Sequence, residues 1–323
     1  MSNLQYAILG TGGIGGFYGG RLQKAGCDVH FLLHQDYTHV SQHGLIIDSY
    51  QGDFTLPIVK AYNDVEKMPQ CDVVIVALKT TENYLLPKFL PSVVKDNGIV
   101  ILFQNGLGVE TEIASIIDHK RIIGGVCFIC SYKIGPGHIR HLDYGNIELG
   151  QYENGYQQCQ INKKIYEVAR DFERSGIKVE LVEDLLLARW KKLIWNIPFN
   201  GLSVVLKATT DEMTRDTYTL ALAEELMREV VAGAKSCDRL IPDSYIKNRL
   251  EFTINMKPYH PSMKIDYDQK RPLEIEAIFG NPLRMARSAG VELPKIAMLY
   301  QQLKFLDAKN RGLNNYPDYL SSI

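Results

Sequence analysis

A lysine and two asparagines recur at one helical spacing in the segment RWKKLIWNIPFNGL, residues 189–202. Lys192, Asn196 and Asn200 stand four residues apart and would share one face of a helix. Most of their neighbours are apolar, which indicates a half-buried polar stripe that recognises a small polar molecule. The same spacing also fits a lysine that reaches water beside two asparagines that cap or join helices. Pro198 removes one backbone hydrogen bond and predicts a kink in this helix.

A glycine-rich turn near the N-terminus has the pattern of a phosphate-binding site. Seven glycines occur between Ala7 and Gly20, directly after an apolar run. In the pattern GxGxxG, the first glycine allows a tight turn, the second lets a pyrophosphate approach, and the third lets the helix pack closely on the strand. A purely structural turn is the alternative. The residues of the predicted dinucleotide site are Gly10, Thr11, Gly12, Gly13, Ile14 and Gly15.

The residue that follows the second predicted strand would select the dinucleotide. An NAD site usually has an acidic residue there, which holds the ribose 2′-hydroxyl, but His34 stands at this place and Asp36 comes two residues later. An NADP site would prefer arginine. A histidine beside the 2′-phosphate would be partly protonated and could donate a hydrogen bond to it. From these residues alone the choice between NADP(H) and NAD(H) stays open, so NADH is not excluded, and an exposed loop histidine is the alternative for His34.

The first half of the chain alternates predicted strands and helices. Buried strands are indicated by apolar runs such as QYAILG, DVHFLL, CDVVIVALK and NGIVILFQNG, and the segments between them have helical spacing. This alternation predicts a Rossmann-type α/β domain over residues 1–182, with a doubly wound, mostly parallel sheet. We also predict a helix near 108–118 and a hairpin within GHIRHLDYGNIELG, and we place residues 131–182 at the far edge of the domain.

Strand patterns end after residue 183, and five segments with helical spacing follow. They predict an all-α domain over residues 183–323, which would bind substrate and carry the interface of a possible homodimer.

Composition limits the classes of function. The 323 residues include 46% hydrophobic and 23% charged residues with a net charge of −1, which is typical of a globular protein of two domains. The charge gives no reason to expect a nucleic acid or a membrane partner, and the first residues lack the features of a signal peptide. The scattered cysteines, including Cys127 and Cys130 in an apolar run, indicate reduced core thiols in the cytoplasm and no metal site.

The chain resembles the ketopantoate reductases (2-dehydropantoate 2-reductases) over nearly its whole length. The similarity lies in the GxGxxG turn, LK at 78–79, QNGLG at 104–108, WxKLxxNxxxN at 190–200 and SMxxDxxxxRxxE at 262–274. The resemblance implies a Rossmann domain that binds NADPH and a helical domain that closes the cleft. It also implies reduction of the 2-oxo acid 2-dehydropantoate to pantoate, on the pantothenate route to coenzyme A.

The resemblance implies a role for each matched position. Lys192 matches the family's catalytic lysine, and Glu274 matches a cleft glutamate that helps to bind substrate and cofactor. Asn105 matches an asparagine near the nicotinamide that touches both ligands, and Lys79 matches a cofactor-contacting lysine. The matched substrate-binding positions are Asn196, Asn200 and Ser262. Taken singly, these positions also fit a turn before a glycine at Asn105, a helix start at Ser262 and an exposed helix residue at Glu274.

Three positions differ from the residues expected for the family. His34 replaces an arginine that holds the 2′-phosphate, and Pro261 and Leu273 replace threonines. Two alternatives to ketopantoate reduction therefore stay open, namely a reductase of another 2-oxo acid with the same architecture and a non-catalytic NADP(H) sensor. The presence of both Lys192 and Glu274 argues against the sensor, because a sensor needs neither.

Overall fold

The computed structural model describes residues 3–313, which fall into two compact units divided between Arg189 and Trp190. The sequence patterns placed the division earlier, after residue 182. Unit 1 is an α/β unit with a mostly parallel sheet and unit 2 is helical, which confirms the predicted fold class. Among the residues described, no helix combines the length and the apolar character needed to cross a membrane.

Unit 1 is built on one sheet of ten strands within the described residues. These are β1 (Gln5–Leu9), β2 (Asp28–Leu32), β3 (Leu45–Ser49), β4 (Phe54–Leu56), β5 (Lys60–Tyr62), β6 (Cys71–Val76), β7 (Val94–Leu102), β8 (Ile122–Gly135), β9 (His138–Gln151) and β10 (Val179–Val182). The strand order is β4-β3-β9-β8-β7-β6-β1-β2-β5, and β10 pairs with β9. The pairs β3–β4 and β8–β9 are antiparallel, and the other pairs are parallel.

Five helices lie in unit 1, one helix crosses into unit 2, and six more follow in the described chain. They are α1 (Gly13–Lys24), α2 (Tyr37–His43), α3 (Leu86–Val93), α4 (Val109–Ile113), α5 (Lys163–Arg174), α6 (Leu185–Val205), α7 (Thr210–Arg215), α8 (Thr217–Ser236), α9 (Asp243–Asn255), α10 (Ser262–Asp268), α11 (Asn281–Ser288) and α12 (Pro294–Asn310). Short 3₁₀ turns cover Val65–Lys67, Thr80–Leu85, His119–Arg121 and Asn154–Tyr156, and a π-helical turn covers Glu276–Gly280. Helix α6 continues through Pro198 to Val205.

The core of unit 1 lies on both faces of the central strands. In β6, the run Val73, Val74, Ile75 and Val76 is fully buried, as expected for a β-branched strand covered by helices on either side. Helix α1 packs closely on β1, because a side chain at Gly15 would collide with the carbonyl oxygen of the turn before it. This packing fixes the start of α1 against the end of β1.

The prediction of a hairpin within residues 137–150 was wrong. This segment lies in the single strand β9, which pairs with β8 from Ile123↔Gln151 to Gly135↔His138. The register shifts near the middle of the pair, where Tyr144 and Gly145 have positive φ angles of 63° and 123°. A bulge of this kind uses the same residue types as a turn, so the sequence alone suggested a reversal of the chain.

Two further expectations need correction. Strand β9 lies inside the sheet between β3 and β8, and the edge beyond it is formed by β3 and β4, so residues 131–182 are not the far edge. The helix predicted near 108–118 is shorter, since α4 ends at Ile113. Just beyond its end, the Ser115 hydroxyl donates to the carbonyl of Glu112 at 2.7 Å, a local bond that competes with continuation of a helix.

Candidate functional site

Four adjacent parallel strands of unit 1 end at one level. Leu9 at the end of β1 pairs with Leu32 of β2 and with Val76 of β6, and Val76 pairs with Leu102 of β7. Neighbouring strands lie about 4.8 Å apart, so the loops that follow form a row roughly 14 Å long from β2 to β7. In open α/β sheets, ligands bind at this carboxyl edge.

The four loops carry the residues predicted to hold the cofactor in unit 1. The glycine turn follows β1, His34 follows β2, Lys79 follows β6 and Asn105 follows β7. His34 is exposed, whereas Lys79 and Asn105 are half-buried. The structure thus brings these residues to one edge of the sheet, although they are far apart in the sequence.

The glycine turn leaves room for an anion at the start of α1. Gly12 is the N-cap residue of this helix, and a Cβ atom added to it would have no neighbour within 4 Å among the described residues. In that same part of the chain, no side chain caps the helix. The first N–H groups of a helix have no partner within it, and an anion is their natural acceptor. The turn therefore fits the pyrophosphate of a dinucleotide.

The other residues of the turn hold it against the sheet. The hydroxyl of Thr11 donates to the carbonyl of Leu32 at 3.0 Å, which joins the turn to the end of β2. The carbonyl of Gly13 accepts from the hydroxyl of Ser131 at 3.0 Å. A Cβ at Gly13 would lie 2.7 Å from the backbone of β8, so only glycine fits there. Ile14 is half-buried and packs against the core of unit 1.

The acidic residue nearest to the end of β2 has a structural partner. Asp36 is buried, and its carboxylate accepts from Nζ of Lys133 at 2.9 and 2.8 Å and from the backbone N–H of Gly137 at 3.2 Å. These bonds tie the loop after β2 to the connection between β8 and β9. The oxygens of Asp36 are therefore engaged within the protein, and the exposed polar residues of this loop are His34 and Gln35.

A buried amide joins two of the four loops. Nε2 of Gln104 donates to the carbonyl of Leu78 at 3.0 Å and to Oδ1 of Asn83 at 2.7 Å. Because Gln104 precedes Asn105 and Leu78 precedes Lys79, this side chain connects the loop after β7 to the loop after β6. This role was not predicted from the sequence, since a glutamine at the end of an apolar strand carries no local signal of its partner.

A buried ion pair lies at the same end of β7. Arg189 and Glu110 are 2% and 0% exposed, and Oε1 of Glu110 accepts from Nη2 of Arg189 at 2.5 Å and from Nε at 3.0 Å. Neither residue was selected from the sequence. The signal that could have found them was a charged residue at the start of an otherwise apolar helix, because charges are buried in a core only when they are paired.

Unit 2 contains the polar stripe predicted on α6. Asn196 and Asn200 are only 3% and 2% exposed, and Lys192 is half-buried. Lys191 lies on another face, with Nζ at 5.8 Å from the ring centre of Tyr245. The burial of Asn196 and Asn200 agrees with the predicted half-buried stripe. The roles of the three stripe residues stay predictions.

The second asparagine of the stripe joins two helices. Oδ1 of Asn200 accepts from the backbone N–H of Met263 at 3.2 Å, in the first turn of α10. Ser262 begins α10 and is half-buried. Asn200 therefore joins two helices, which was one of the alternatives that the sequence left open. This bond engages the carbonyl end of the Asn200 amide, so its NH₂ end is the donor that a ligand would use.

The pattern SMxxDxxxxRxxE contains an ion pair that fixes the segment before Glu274. The carboxylate of Asp266 is buried and accepts from Nε and Nη2 of Arg271 at 2.9 and 2.6 Å. Glu274 is only 5% exposed, so the alternative of an exposed helix residue was wrong. The carbonyl of Glu274 accepts from the N–H of Ile278 at the π-helical turn, a feature often found at functional sites.

The predicted core thiols are present. Cys127 and Cys130 are 7% and 8% exposed, and neither forms a disulfide bond. Residues 3–313 contain no group of three or more His, Cys, Asp or Glu side chains placed to hold a metal ion.

Two family models match this chain, one in each part. The model described as ketopantoate reductase PanE/ApbA matches residues 6–154, and the model of the C-terminal part of the same family matches residues 184–307. The chain belongs to the ketopantoate reductase family. The resemblance found in the sequence motifs is thereby confirmed.

Similar proteins cover nearly the whole chain. A 2-dehydropantoate 2-reductase of Nostoc sp. is 62% identical over 311 residues, which are 96% of this chain and 98% of that protein. A solved 2-dehydropantoate 2-reductase structure from Geobacter metallireducens has a TM-score of 0.90 at 40% identity and covers 94% and 99% of the two chains. A ternary structure of D-mandelate dehydrogenase with NADH and anilino(oxo)acetate has a TM-score of 0.84, covers 95% and 99%, and at 20% identity shows the fold alone.

Proposed function

We propose that this chain is an NADPH-dependent oxidoreductase that reduces 2-dehydropantoate (ketopantoate) to pantoate. The observation that carries the proposal is the 62% identity with the Nostoc 2-dehydropantoate 2-reductase over nearly the full length of both chains. The substrate is then a small 2-oxo acid, and its product serves the synthesis of pantothenate and coenzyme A.

Unit 1 would hold the dinucleotide along the row of loops at the carboxyl edge of its sheet. The N–H groups at the start of α1 and the open space at Gly12 suit the pyrophosphate. His34 would lie at the adenosine end, after β2, while Lys79 and Asn105 would lie towards the nicotinamide end. When it is bound, the nicotinamide supplies the hydride that the ketone carbon accepts.

Preference for NADPH is supported by the loop after β2. An NAD site uses a carboxylate here to accept from the ribose hydroxyls, but the carboxylate of Asp36 is bound to Lys133 and Gly137. The imidazole of the exposed His34 could donate a hydrogen bond to a 2′-phosphate. These two residues together favour the phosphorylated cofactor.

Lys192 would act as the general acid. The ketone oxygen gains negative charge as the carbon is reduced, and an ammonium group stabilises that charge and then donates a proton. Asn196, the NH₂ end of Asn200 and the hydroxyl of Ser262 would donate to the substrate carboxylate. Glu274 would accept from hydroxyl groups of the substrate and the cofactor.

The compartment and the assembly belong to the same proposal. None of the six cysteines forms a disulfide bond, which suits the reducing cytoplasm. A homodimer would form through unit 2, and the mass of the protein in solution, measured by light scattering, tests this assembly.

The decisive experiment is a substrate panel. Oxidation of NADPH and of NADH is followed by absorbance with ketopantoate and with other 2-oxo acids. We expect the highest kcat/KM with ketopantoate and NADPH. A higher kcat/KM with another 2-oxo acid would identify that acid, and not ketopantoate, as the substrate. Tight NADPH binding without turnover of any acid would instead favour the NADP(H) sensor.

A further inference from the structure

The loop between β7 and α4 must hold Asn105 in place although it contains two conformationally free residues. Gly106 and Gly108 have positive φ angles of 99° and 78°, and glycine adopts many alternative backbone conformations at little cost. The loop residues 103–108 lie outside the strand ladder and outside the helix. Backbone hydrogen bonds hold the two ends of the loop, from the N–H of Phe103 to the carbonyl of Val76 at 2.9 Å and from the N–H of Glu112 to the carbonyl of Gly108 at 3.1 Å. Side chains supply further contacts on either side of Asn105.

Arg189 fixes the loop on the N-terminal side of Asn105. Its Nη1 donates to the carbonyl of Gln104 at 2.5 Å, and its Nη2 donates to the carbonyl of Leu102 at 3.2 Å. Its Nε and Nη2 also bind Oε1 of Glu110. One guanidinium group thus satisfies two carbonyls at the end of β7 and a buried carboxylate, a fork geometry that lysine lacks.

Tyr156 fixes the loop on the C-terminal side of Asn105. Its hydroxyl accepts from the backbone N–H of Gly108 at 3.1 Å and donates to Oε2 of Glu110 at 2.5 Å. Burial, followed by the charge of Glu110, raises the pKa of Tyr156 well above its ordinary value. The hydroxyl therefore stays protonated and keeps its donor role at any pH at which the protein is assayed.

Both anchors meet at the two oxygens of a single carboxylate. Glu110 binds Arg189 through Oε1 and Tyr156 through Oε2, and all three side chains are at least nine-tenths buried. Stability alone does not require such a group, because well-packed apolar residues often replace a buried ion pair without loss. What the polar residues add is directional bonding to the backbone on either side of Asn105.

We propose that Arg189, Glu110 and Tyr156 form a positioning network, which holds the Asn105 side chain in place for the reduction of the substrate. This inference rests on the proposed function, in which Asn105 touches the cofactor and the 2-oxo acid. The three residues act through Asn105 and are not assigned any contact with the reacting atoms.

The test is a double-mutant cycle between Tyr156→Phe and Asn105→Ala. Tyr156→Phe removes only the hydroxyl that joins Gly108 to Glu110, and we expect about a tenfold loss of kcat/KM for ketopantoate. If the hydroxyl acts through Asn105, then Asn105→Ala should cost at least about fivefold less in the Tyr156→Phe background than in the wild type. Additive losses would overturn the proposal, because additivity indicates a general effect on folding.

Tyr152→Phe is the matched control. Tyr152 is equally buried, its ring packs edge-on against Tyr156 with centres 5.0 Å apart, and its hydroxyl bonds to Thr111 at 3.1 Å and not to the loop 103–108. We expect this variant to keep kcat/KM within about twofold of the wild type and to be additive with Asn105→Ala. A loss as large as that of Tyr156→Phe would count against a specific network.

Two more measurements keep the test decisive. Arg189→Lys retains the charge beside Glu110 but loses the forked guanidinium that binds the two carbonyls. This variant should show the same coupling to Asn105→Ala, so the test remains available if Tyr156→Phe folds poorly. The NADPH dissociation constant is also measured for every variant of the cycle, by nicotinamide fluorescence. Failure of the wild type to reduce any 2-oxo acid would refute the proposed function, whereas an active wild type unaffected by Asn105→Ala would refute only the network.

Discussion

At the scale of single residues, the glycine turn contains two glycines with different tasks. A side chain at Gly12 would enter space that the protein leaves open, whereas a side chain at Gly15 would collide with the carbonyl oxygen of Gly10. The first position is therefore available to a ligand, and the second is needed for the packing of α1 on β1. Substitution distinguishes these tasks.

We expect Gly12→Val to fold as the wild type does but to bind NADPH at least about 100-fold more weakly, since charge-assisted bonds to the pyrophosphate would be lost. Gly15→Ala should instead lower the free energy of unfolding by about 1–3 kcal/mol through overpacking. Fluorescence titration and urea unfolding measure the two effects. Unchanged NADPH binding by Gly12→Val would place the phosphate site elsewhere.

His34 gives a prediction about cofactor preference. If His34 faces the 2′-phosphate, His34→Arg should tighten NADPH binding by about fivefold, because the planar guanidinium can form two parallel bonds to a phosphate. NADH binding should change little, because NADH lacks that phosphate. Fluorescence titrations of the wild type and the variant with both cofactors measure this. An equal change for the two cofactors would remove His34 from the site.

At the scale of secondary-structure elements, β3 and β9 are joined by a buried histidine. Nδ1 of His141 in β9 lies 2.9 Å from the hydroxyl of Ser49 in β3, and Nε2 lies 3.0 Å from the carbonyl of Tyr144 at the bulge. The ring also packs on Phe17 of α1 with centres 4.1 Å apart. Burial lowers the pKa of His141 from 6.5 to about 4, and hydrogen bonds to backbone carbonyls only partly oppose this shift.

The lowered pKa predicts loss of stability in acid. Between about pH 6.5 and 4, the unfolded chain binds a proton that the folded chain does not, so the free energy of unfolding falls as the pH falls, by up to about 3 kcal/mol. Urea unfolding across this range should show a flatter pH dependence for His141→Gln than for the wild type. His43→Gln, at an exposed site on α2, is the control and should keep the wild-type slope. Equal slopes for all three proteins would contradict the prediction.

At the scale of the whole molecule, the proposed chemistry divides between the two units. The glycine turn and Asn105 belong to unit 1, and Lys192, Ser262 and Glu274 belong to unit 2. A substitution of Lys192 should therefore affect the reaction and leave cofactor binding largely intact.

We expect Lys192→Ala to lower kcat/KM by at least about 100-fold, which is roughly 3 kcal/mol of transition-state stabilisation. The loss should appear in kcat, because the ammonium interacts most strongly with the charge that develops in the transition state. NADPH binding should be nearly unchanged. Lys191→Ala is the control, since Lys191 faces the ring of Tyr245 and should keep near-wild-type activity. Loss of activity in Lys191→Ala together with wild-type activity in Lys192→Ala would contradict the assignment of Lys192 to the catalytic face of α6.

The sequence alone predicted those features that depend on interactions between residues close together in the chain. β-branched runs predicted the central strands, because a strand buried on both faces must be apolar along its length. The GxGxxG turn and the four-residue spacing of the α6 stripe depend on backbone geometry within a few residues. The fold class, the position of the turn and the burial of Asn196 and Asn200 were therefore predictable.

The remaining features depend on contacts between distant parts of the chain. Asp36 pairs with Lys133, 97 residues away, and Arg189 pairs with Glu110, 79 residues away. Strand β9 lies inside the sheet because it pairs with β3 and β8, and its bulge imitates a turn in the sequence. Pairing of strands and burial of charges are decided by which surfaces meet when the chain is folded. The spacing of residues in the sequence does not show which distant surfaces pack together. The hydrogen bonds of Asp36 and the support of the Asn105 loop were therefore visible only in the tertiary structure.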